Sequence, residues 1–420
     1  MIPTGVILLG SAWIICHLLI IPAVLAKGSR WIAMSLATVL LASIYLLKPY
    51  TYDLEKYSIF FVTGYIPTVH WHTPHGTFQL DPKDTTGDPY KGYEPGFSFF
   101  ARLGSFILPA GSLWPRFNED QWDLKNRGPP RHDGLLILIM LVSSLIIGFT
   151  IVQIILKSDE LVKIEGDAVP LLFVTVVGSV FFFLGSQNAI RQFLGLVVLL
   201  TALNASLNKR HLTSVLLILA AATFHKWAII LGIITIFFTS IFSWQGGARE
   251  SNRPFDLRLY LPEVLAVGMA VLVLGAVKLV LVFGAYHLDL PLIGDLKAYA
   301  IKQDQFQMFE RPNVWIKSLG VIGLFVVSEI VAGKDYFNDK FDIRRMRRVV
   351  LLFIMPFVLL PEIFSRLLML YWMIELIFIV WAVLSQRRRM QFAGVLVFTA
   401  YGFAPNALNV LLGPDWLHSF

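Results

Sequence analysis

Asp53, Glu94, Arg191, His225, Glu362 and Arg366 stand at one end of long apolar runs in this chain or beside them. A charge in such a position is costly unless it is paired or wetted, so each is a candidate for chemistry. Arg191 lies in Gly185-Ser186-Gln187-Asn188-Ala189-Ile190-Arg191-Gln192, where Gln187 precedes it by four residues, a spacing that predicts one shared helix face. A guanidinium presents a planar fork that matches phosphate oxygens. The plainer reading is an arginine snorkelling at a helix end, but such an anchor does not need three neighbouring amides. Arg366 follows Pro361-Glu362-Ile363-Phe364-Ser365. Glu362 and Arg366 have the spacing and order of a helical ion pair, which at a helix break is equally a structural device. Two arginines together can neutralise a diphosphate, and stabilising charge on a leaving group is a large contribution to such a reaction. His225 follows the small-residue run Ala220-Ala221-Ala222-Thr223-Phe224. Small residues let helices approach closely, and an imidazole there can take a proton from an attacking hydroxyl or simply satisfy the turn.

Other groups point less clearly to chemistry. His70-Trp71-His72 with His75 has the residue types of a metal site, but it lies in a Pro/Gly-rich stretch without a cysteine or fixed carboxylate to complete it, so no metal site is assigned. Trp71, Tyr90, Tyr93, Trp114 and Trp122 suit stacking on sugar rings and equally suit anchoring at a membrane interface. The basic run Arg344 to Arg348 reads as a topology signal or a contact to anionic lipid. No P-loop, dinucleotide fingerprint, nucleophile elbow or HExxH occurs, so ATP-driven and nucleotide-sugar chemistry have no home in the sequence.

The elements that must position these groups are apolar helices. Charged residues make up 15% of the chain, well below the roughly 25% of soluble domains. The apolar residues come in runs long enough to cross about 30 Å of hydrocarbon as helices, and a backbone in lipid must satisfy its own hydrogen bonds. The predicted fold is therefore an all-α polytopic bundle of about 12 helices, a single integral membrane domain over 1–420. Candidate spans are 5–26, 31–47, 134–156, 168–186, 190–207, 212–225, 227–243, 260–284, 314–332, 349–364, 366–384 and 391–412. His225 with Lys226, and Glu362 with Arg366, predict breaks within 212–243 and 349–384. The first basic residue, Lys27, follows the first apolar run, which predicts a retained helix rather than a cleaved leader. The single cysteine, Cys16, lies in that run.

One alternating set of connectors carries about 18 basic residues, from Lys27 and Arg30 to Arg387, Arg388 and Arg389. These short basic loops predict the cytoplasmic side, and they account for the net charge of +7 without nucleic acid. The other side then receives both termini, the long connector 48–133 and a second one at 285–313. A connector as long as the first is usually functional. Within it the apolar spacing of 96–113 predicts a helix along the membrane interface. All six chemical candidates fall toward this outer side, which predicts one polar cavity opening away from the cytoplasm.

In this order the residues resemble the EpsG-like group of polysaccharide polymerases, related in role to Wzy-type O-antigen polymerases. The resemblance rests on Tyr52-Asp53-Leu54-Glu55-Lys56-Tyr57, Glu94-Pro95-Gly96-Phe97, Arg191-Gln192, His225, and Arg366 ahead of Tyr371-Trp372, over about residues 50–385. Lys226-Trp227 replaces the small pair that often follows the family's histidine, and the outer loop is longer than usual. The resemblance implies a GT-C-like glycosyltransferase of the bacterial inner membrane. It would polymerise undecaprenyl-diphosphate-linked repeat units on the periplasmic face, passing a glycan to a sugar hydroxyl of a second lipid-linked unit. It implies no nucleotide sugar, metal or other cofactor, no nucleic acid, and membrane lipids and a chain-length regulator as partners. Arg191 and Arg366 would hold the diphosphate. His225 or Asp53 would accept the proton, with Glu94 the third catalytic candidate, placing hydroxyls. Gln187, Gln192, Tyr57 and Tyr371 would contact sugar. An O-antigen ligase or another lipid-linked glycosyltransferase fits the same residues. A flippase is the alternative of a different class, although it should place polar groups nearer the bilayer midplane.

Overall fold

A computed structural model of the chain describes residues 15, 18, 30–47, 57–58, 61, 67–70, 77–80, 93–109, 132–158, 168–245, 261–287, 312–332, 343–359, 361–385, 394–395 and 397–398. Side chains within 41–47, 67–70, 77–80, 277–287 and 312–317, and those of Gln187 and Glu362, lie outside the description. So do Asp53, Trp71, His72, His75, Tyr90, Trp114, Trp122, the connector from 288 to 311, and nearly all of the predicted spans 5–26 and 391–412. The chain forms two compact units, Met1–Ile233 with Val380–Ser419, and Ile234–Ile379.

The first unit carries α1 (Arg30–Leu47), a hairpin of β1 (Pro67–His70) and β2 (Thr77–Leu80), α2 (Pro95–Ile107), α3 (Asp133–Ser158), α4 (Val169–Val177), α5 (Val180–Asn188), α6 (Ile190–Leu207), α7 (His211–Ala222) and the start of α8 (Trp227–Gln245). The hairpin is a departure from the all-α expectation. Its strands pair antiparallel, with Pro67 opposite Leu80 and His70 opposite Thr77. Asp133 and Lys157 sit in the first and last turns of α3, where their charges complement the helix dipole. Among the described residues three helices are long and apolar enough to cross a membrane: Asp133–Lys157, Ile190–Leu207 and Ile363–Leu384. The chain is a helical membrane protein.

The predicted span 168–186 is not one helix. α4 stops at Gly178, and Ser179 caps α5 by accepting from the Phe182 N–H at 3.2 Å, a strong start signal placed in mid-run. The predicted break after Phe224 is present between α7 and α8. At the α6–α7 turn, Lys209 has φ of 57°, the left-handed residue that commonly ends a helix. The Lys157 ammonium donates to the Leu207 carbonyl and, at 2.7 Å, to Asn208 Oδ1, tying this turn to the end of α3.

The predicted interfacial segment is α2. One face buries Phe97, Phe100, Ala101 and Gly104, while Phe99, Leu103, Phe106 and Ile107 are exposed on the other. A Cβ on Gly104 would lie 2.7 Å from Leu135 Cα, so α2 crosses α3 backbone to backbone there and only glycine fits.

The second unit holds the rest of α8, then α9 (Leu261–His287), α10 (Pro312–Ala332), α11 (Ile343–Ile354), a 3-10 turn (Met355–Leu359) and most of α12 (Pro361–Ser385). The sequence predicts a break between 364 and 366, but the structure places it earlier. Pro356 falls in the 3-10 turn, and Pro361 opens α12, a first-turn position that costs no backbone hydrogen bond. Arg366 therefore stands in the second turn of a continuous helix.

Candidate functional site

Arg191 enters the site because α6 begins just before it. Ala189, at φ −134° and ψ 45°, ends α5 and starts α6, and the Phe193 N–H donates to the Ala189 carbonyl at 2.7 Å. A side chain at 185 would strike the Phe193 ring, so Gly185 lets the two helices fold back on each other. This corner corrects the expectation that Gln187 and Arg191 share a helix face: Gln187 is in the last turn of α5 and Arg191 in the first turn of α6.

Three groups hold the guanidinium. Arg191 Nε donates to Tyr57 Oη at 2.8 Å, and Nη1 donates to Glu94 Oε2 at 2.7 Å. The cation also lies 5.5 Å from the Tyr57 ring centre and 5.0 Å from that of Tyr93, within the range of cation–π attraction. Tyr57, Tyr93 and Phe97 stack edge to face, with centroids 5.1–5.8 Å apart. The cation is thus braced by a rigid aromatic frame, yet it keeps 28% of its side-chain surface open, and Glu94 keeps 20%. Gln192, next along α6, is buried.

Glu94 is the N-cap of α2, followed by Pro95. The Gly96 N–H donates to the Thr223 carbonyl at 2.9 Å, and a Cβ on Gly96 would collide with Thr223. This contact, with Phe100 edge-on to Phe224 at 6.1 Å, pins the start of α2 to the end of α7, two residues before His225. Gly195, one turn below Arg191 on α6, packs against Ala221, Ala228 and His225. The structure therefore gathers Tyr57, Tyr93, Glu94, Arg191 and His225 in the first unit.

His225 is buried, and its Nδ1 accepts from the Trp227 N–H at 3.2 Å. That bond caps α8 and, in a neutral imidazole, places the proton on Nε2. The Nδ1 bond is the turn-satisfying role that the sequence offers beside the proton-accepting one. The aligned backbone N–H groups at the helix start explain why: a lone pair there is drawn into capping.

The second unit holds the other candidates. Arg366 is part-buried in α12. Tyr371, expected at a sugar, is wholly enclosed, and its hydroxyl donates to Glu375 Oε2 at 2.7 Å. Glu375 also accepts from Ser328 Oγ at 2.6 Å and from Arg347 Nη1 at 2.8 Å. Arg347 is fully buried, bonds Ser328 and Glu329 as well, and lies against the rings of Phe378 at 3.7 Å and Phe325 at 4.3 Å. Arg344 pairs with Glu329 at 3.1 Å, and Arg345 grips Glu263 through two bonds of 3.1 and 3.0 Å. The basic run expected to set topology or to meet anionic lipid is thus largely paired with carboxylates on neighbouring helices. A glutamate in the middle of an apolar span is the signal that reveals this network from sequence.

His132 was not a sequence candidate either. It precedes α3, accepts from the Leu135 N–H at Nδ1 (3.2 Å), and meets Phe61 edge-on at 5.5 Å. Burial pushes its pKa from 6.5 down to about 4, outweighing the Ala101 backbone bond and the Asp133 charge, which raise it. The unfolded chain therefore binds this proton first as pH falls. Stability present above pH 6.5 should drain away between 6.5 and about 4, by an amount on the order of 3 kcal/mol. Thermal unfolding in detergent should show that slope, and His132→Asn, which keeps a capping oxygen, should flatten it.

The model of the EpsG family matches residues 132–412. That range contains Arg191, His225 and Arg366 and begins after Tyr57 and Glu94. No curated protein and no solved structure matches the chain.

Proposed function

The chain belongs to the EpsG family, which makes it a membrane protein of polysaccharide biosynthesis, and from that premise we propose that it polymerises lipid-linked oligosaccharide repeat units. The donor is a glycan on undecaprenyl diphosphate, and the acceptor is a sugar hydroxyl on a second lipid-linked unit. The reaction takes place on the outer face of the bacterial cytoplasmic membrane, in a GT-C-like helical frame, and a chain-length regulator is a natural partner.

One observation carries the reading. Arg191 is fixed by Tyr57, Tyr93 and Glu94 at a helix N-terminus and still reaches solvent. A preorganised guanidinium beside a helix N-terminus suits an anionic leaving group. His225 donates a hydrogen bond from Nε2, and the proton leaves the acceptor hydroxyl to a carboxylate, Glu94 or Asp53.

The test is to incubate the purified protein with one synthetic diphosphate-linked repeat unit. A ladder of products at unit spacing is the expected result. A single transfer product would instead assign a ligase, with the same donor and a different acceptor.

A further inference from the structure

Glu94 is the N-cap of α2, but its carboxylate does not accept from that helix's own N–H groups. It accepts from Arg191 Nη1 at 2.7 Å instead. An N-cap side chain more often serves its own helix, whereas among the described residues this carboxylate is engaged through the cation. The two partners are held very differently. Arg191 keeps the Tyr57 hydroxyl on Nε and two aromatic rings whether or not Glu94 is present. The backbone beneath Glu94 is equally fixed, because the Gly96 N–H is bonded to the Thr223 carbonyl at 2.9 Å. A swing of the Glu94 side chain alone therefore opens Arg191 without moving a helix. His225, the other described candidate for a base, has its Nδ1 lone pair committed to Trp227.

We propose that the donor diphosphate displaces Glu94 from Arg191, and that the carboxylate so released accepts the proton of the incoming sugar hydroxyl. This rests on reading Arg191 as a diphosphate-binding group. In the transfer, the acceptor oxygen bonds to the anomeric carbon while the bond from that carbon to the diphosphate oxygen breaks. The bonding electron pair leaves with the diphosphate, and the hydroxyl proton passes to Glu94. A carboxylate that loses a cationic partner and gains an anionic neighbour takes up a proton more readily. Donor binding thus switches on the base. Before the donor is seated, the carboxylate is masked and water in the site is not activated.

The exchange predicts opposite effects on binding and rate. Glu94→Gln keeps the size of the side chain and an oxygen for Arg191 but removes the competing charge. In full-length protein in nanodiscs, a synthetic polyprenyl-diphosphate glycan should bind Glu94→Gln no more weakly than wild type, and about fivefold more tightly if the weakened competition is worth about 1 kcal/mol. Its single-turnover transfer rate should fall at least about 100-fold, and Glu94→Asp should recover part of it. A transfer rate within about twofold of wild type, or donor binding weakened in step with the rate, overturns the exchange. Arg191→Lys tests the premise separately. Unchanged donor affinity there removes Arg191 from diphosphate binding, whereas weakened affinity beside a fully active Glu94→Gln sinks the exchange alone.

Discussion

Arg191→Ala is expected to abolish polymer while the protein still accumulates in the membrane. The loss should be large because one side chain does several things. Under the proposed function it presents a charge-assisted donor to the diphosphate, and removing one such preorganised donor costs about 10²–10³-fold in rate. It also neutralises Glu94 at 2.7 Å and anchors the Tyr57 hydroxyl at 2.8 Å, so its absence leaves a carboxylate facing an arriving dianion. Folding should survive, because the pair is part-buried rather than enclosed, with 28% and 20% of the two side chains exposed, so the carboxylate left behind still reaches water and is not a fully buried unpaired charge. Arg191→Lys should give an intermediate result. An ammonium keeps the charge but cannot bond Tyr57 and Glu94 at once through a planar fork, nor stack as well between the Tyr57 and Tyr93 rings. Polymer length on a gel, set against protein level in membranes, reads the outcome. Normal-length polymer from Arg191→Ala would remove the cation from the mechanism.

The parts of this arrangement that show in the sequence are those set by solvent. Long apolar runs predict α3, α6 and α8 with small errors at their ends, because hydrocarbon fixes both length and composition. The break before Trp227 is legible because His225 and Lys226 interrupt an apolar stretch. The corner at Ala189 is not, since no proline marks it, and what makes it possible is the missing Cβ of Gly185 against the Phe193 ring. The break before α12 is misplaced for a related reason. The charges at 362 and 366 look like an interruption, but Pro356 and Pro361 set the backbone, and a first-turn proline with charges behind it is compatible with a continuous helix. Within the site, residue types and spacing bring Glu94 and Arg191 forward as candidates, but not their partnership: it joins positions 97 apart in the chain. The role of Tyr93 as a ring against a cation, and the capping role of His132, likewise depend on contacts that no local pattern encodes.

The second large effect belongs to the buried cluster of the second unit. Glu375→Leu should destabilise the protein by about 3–5 kcal/mol, because it strands a fully buried cation. Arg347 has no exposed surface, and its bonds go to Glu375, Ser328 and Glu329, the last shared with Arg344. Without Glu375, one carboxylate faces two arginines, and the Phe325 and Phe378 rings offset only part of the desolvation of Arg347. Arg347→Met should cost a similar amount, since among the described residues it leaves Glu375 with the Ser328 and Tyr371 hydroxyls and no cation. The double substitution Arg347→Met with Glu375→Leu should cost much less than the sum of the two, because it removes both charges and fills the space with apolar atoms. Unfolding of the four proteins in one detergent would measure this, and simple additivity would show that the two groups do not act as a pair. A strong coupling would also explain why the cluster is polar at all. Apolar faces on α10, α11 and α12 would pack in many rotational settings in lipid, whereas bonds from Ser328, Arg347 and Glu375 select one. The same setting fixes where α12 presents Arg366, two to three turns away along the helix from Glu375.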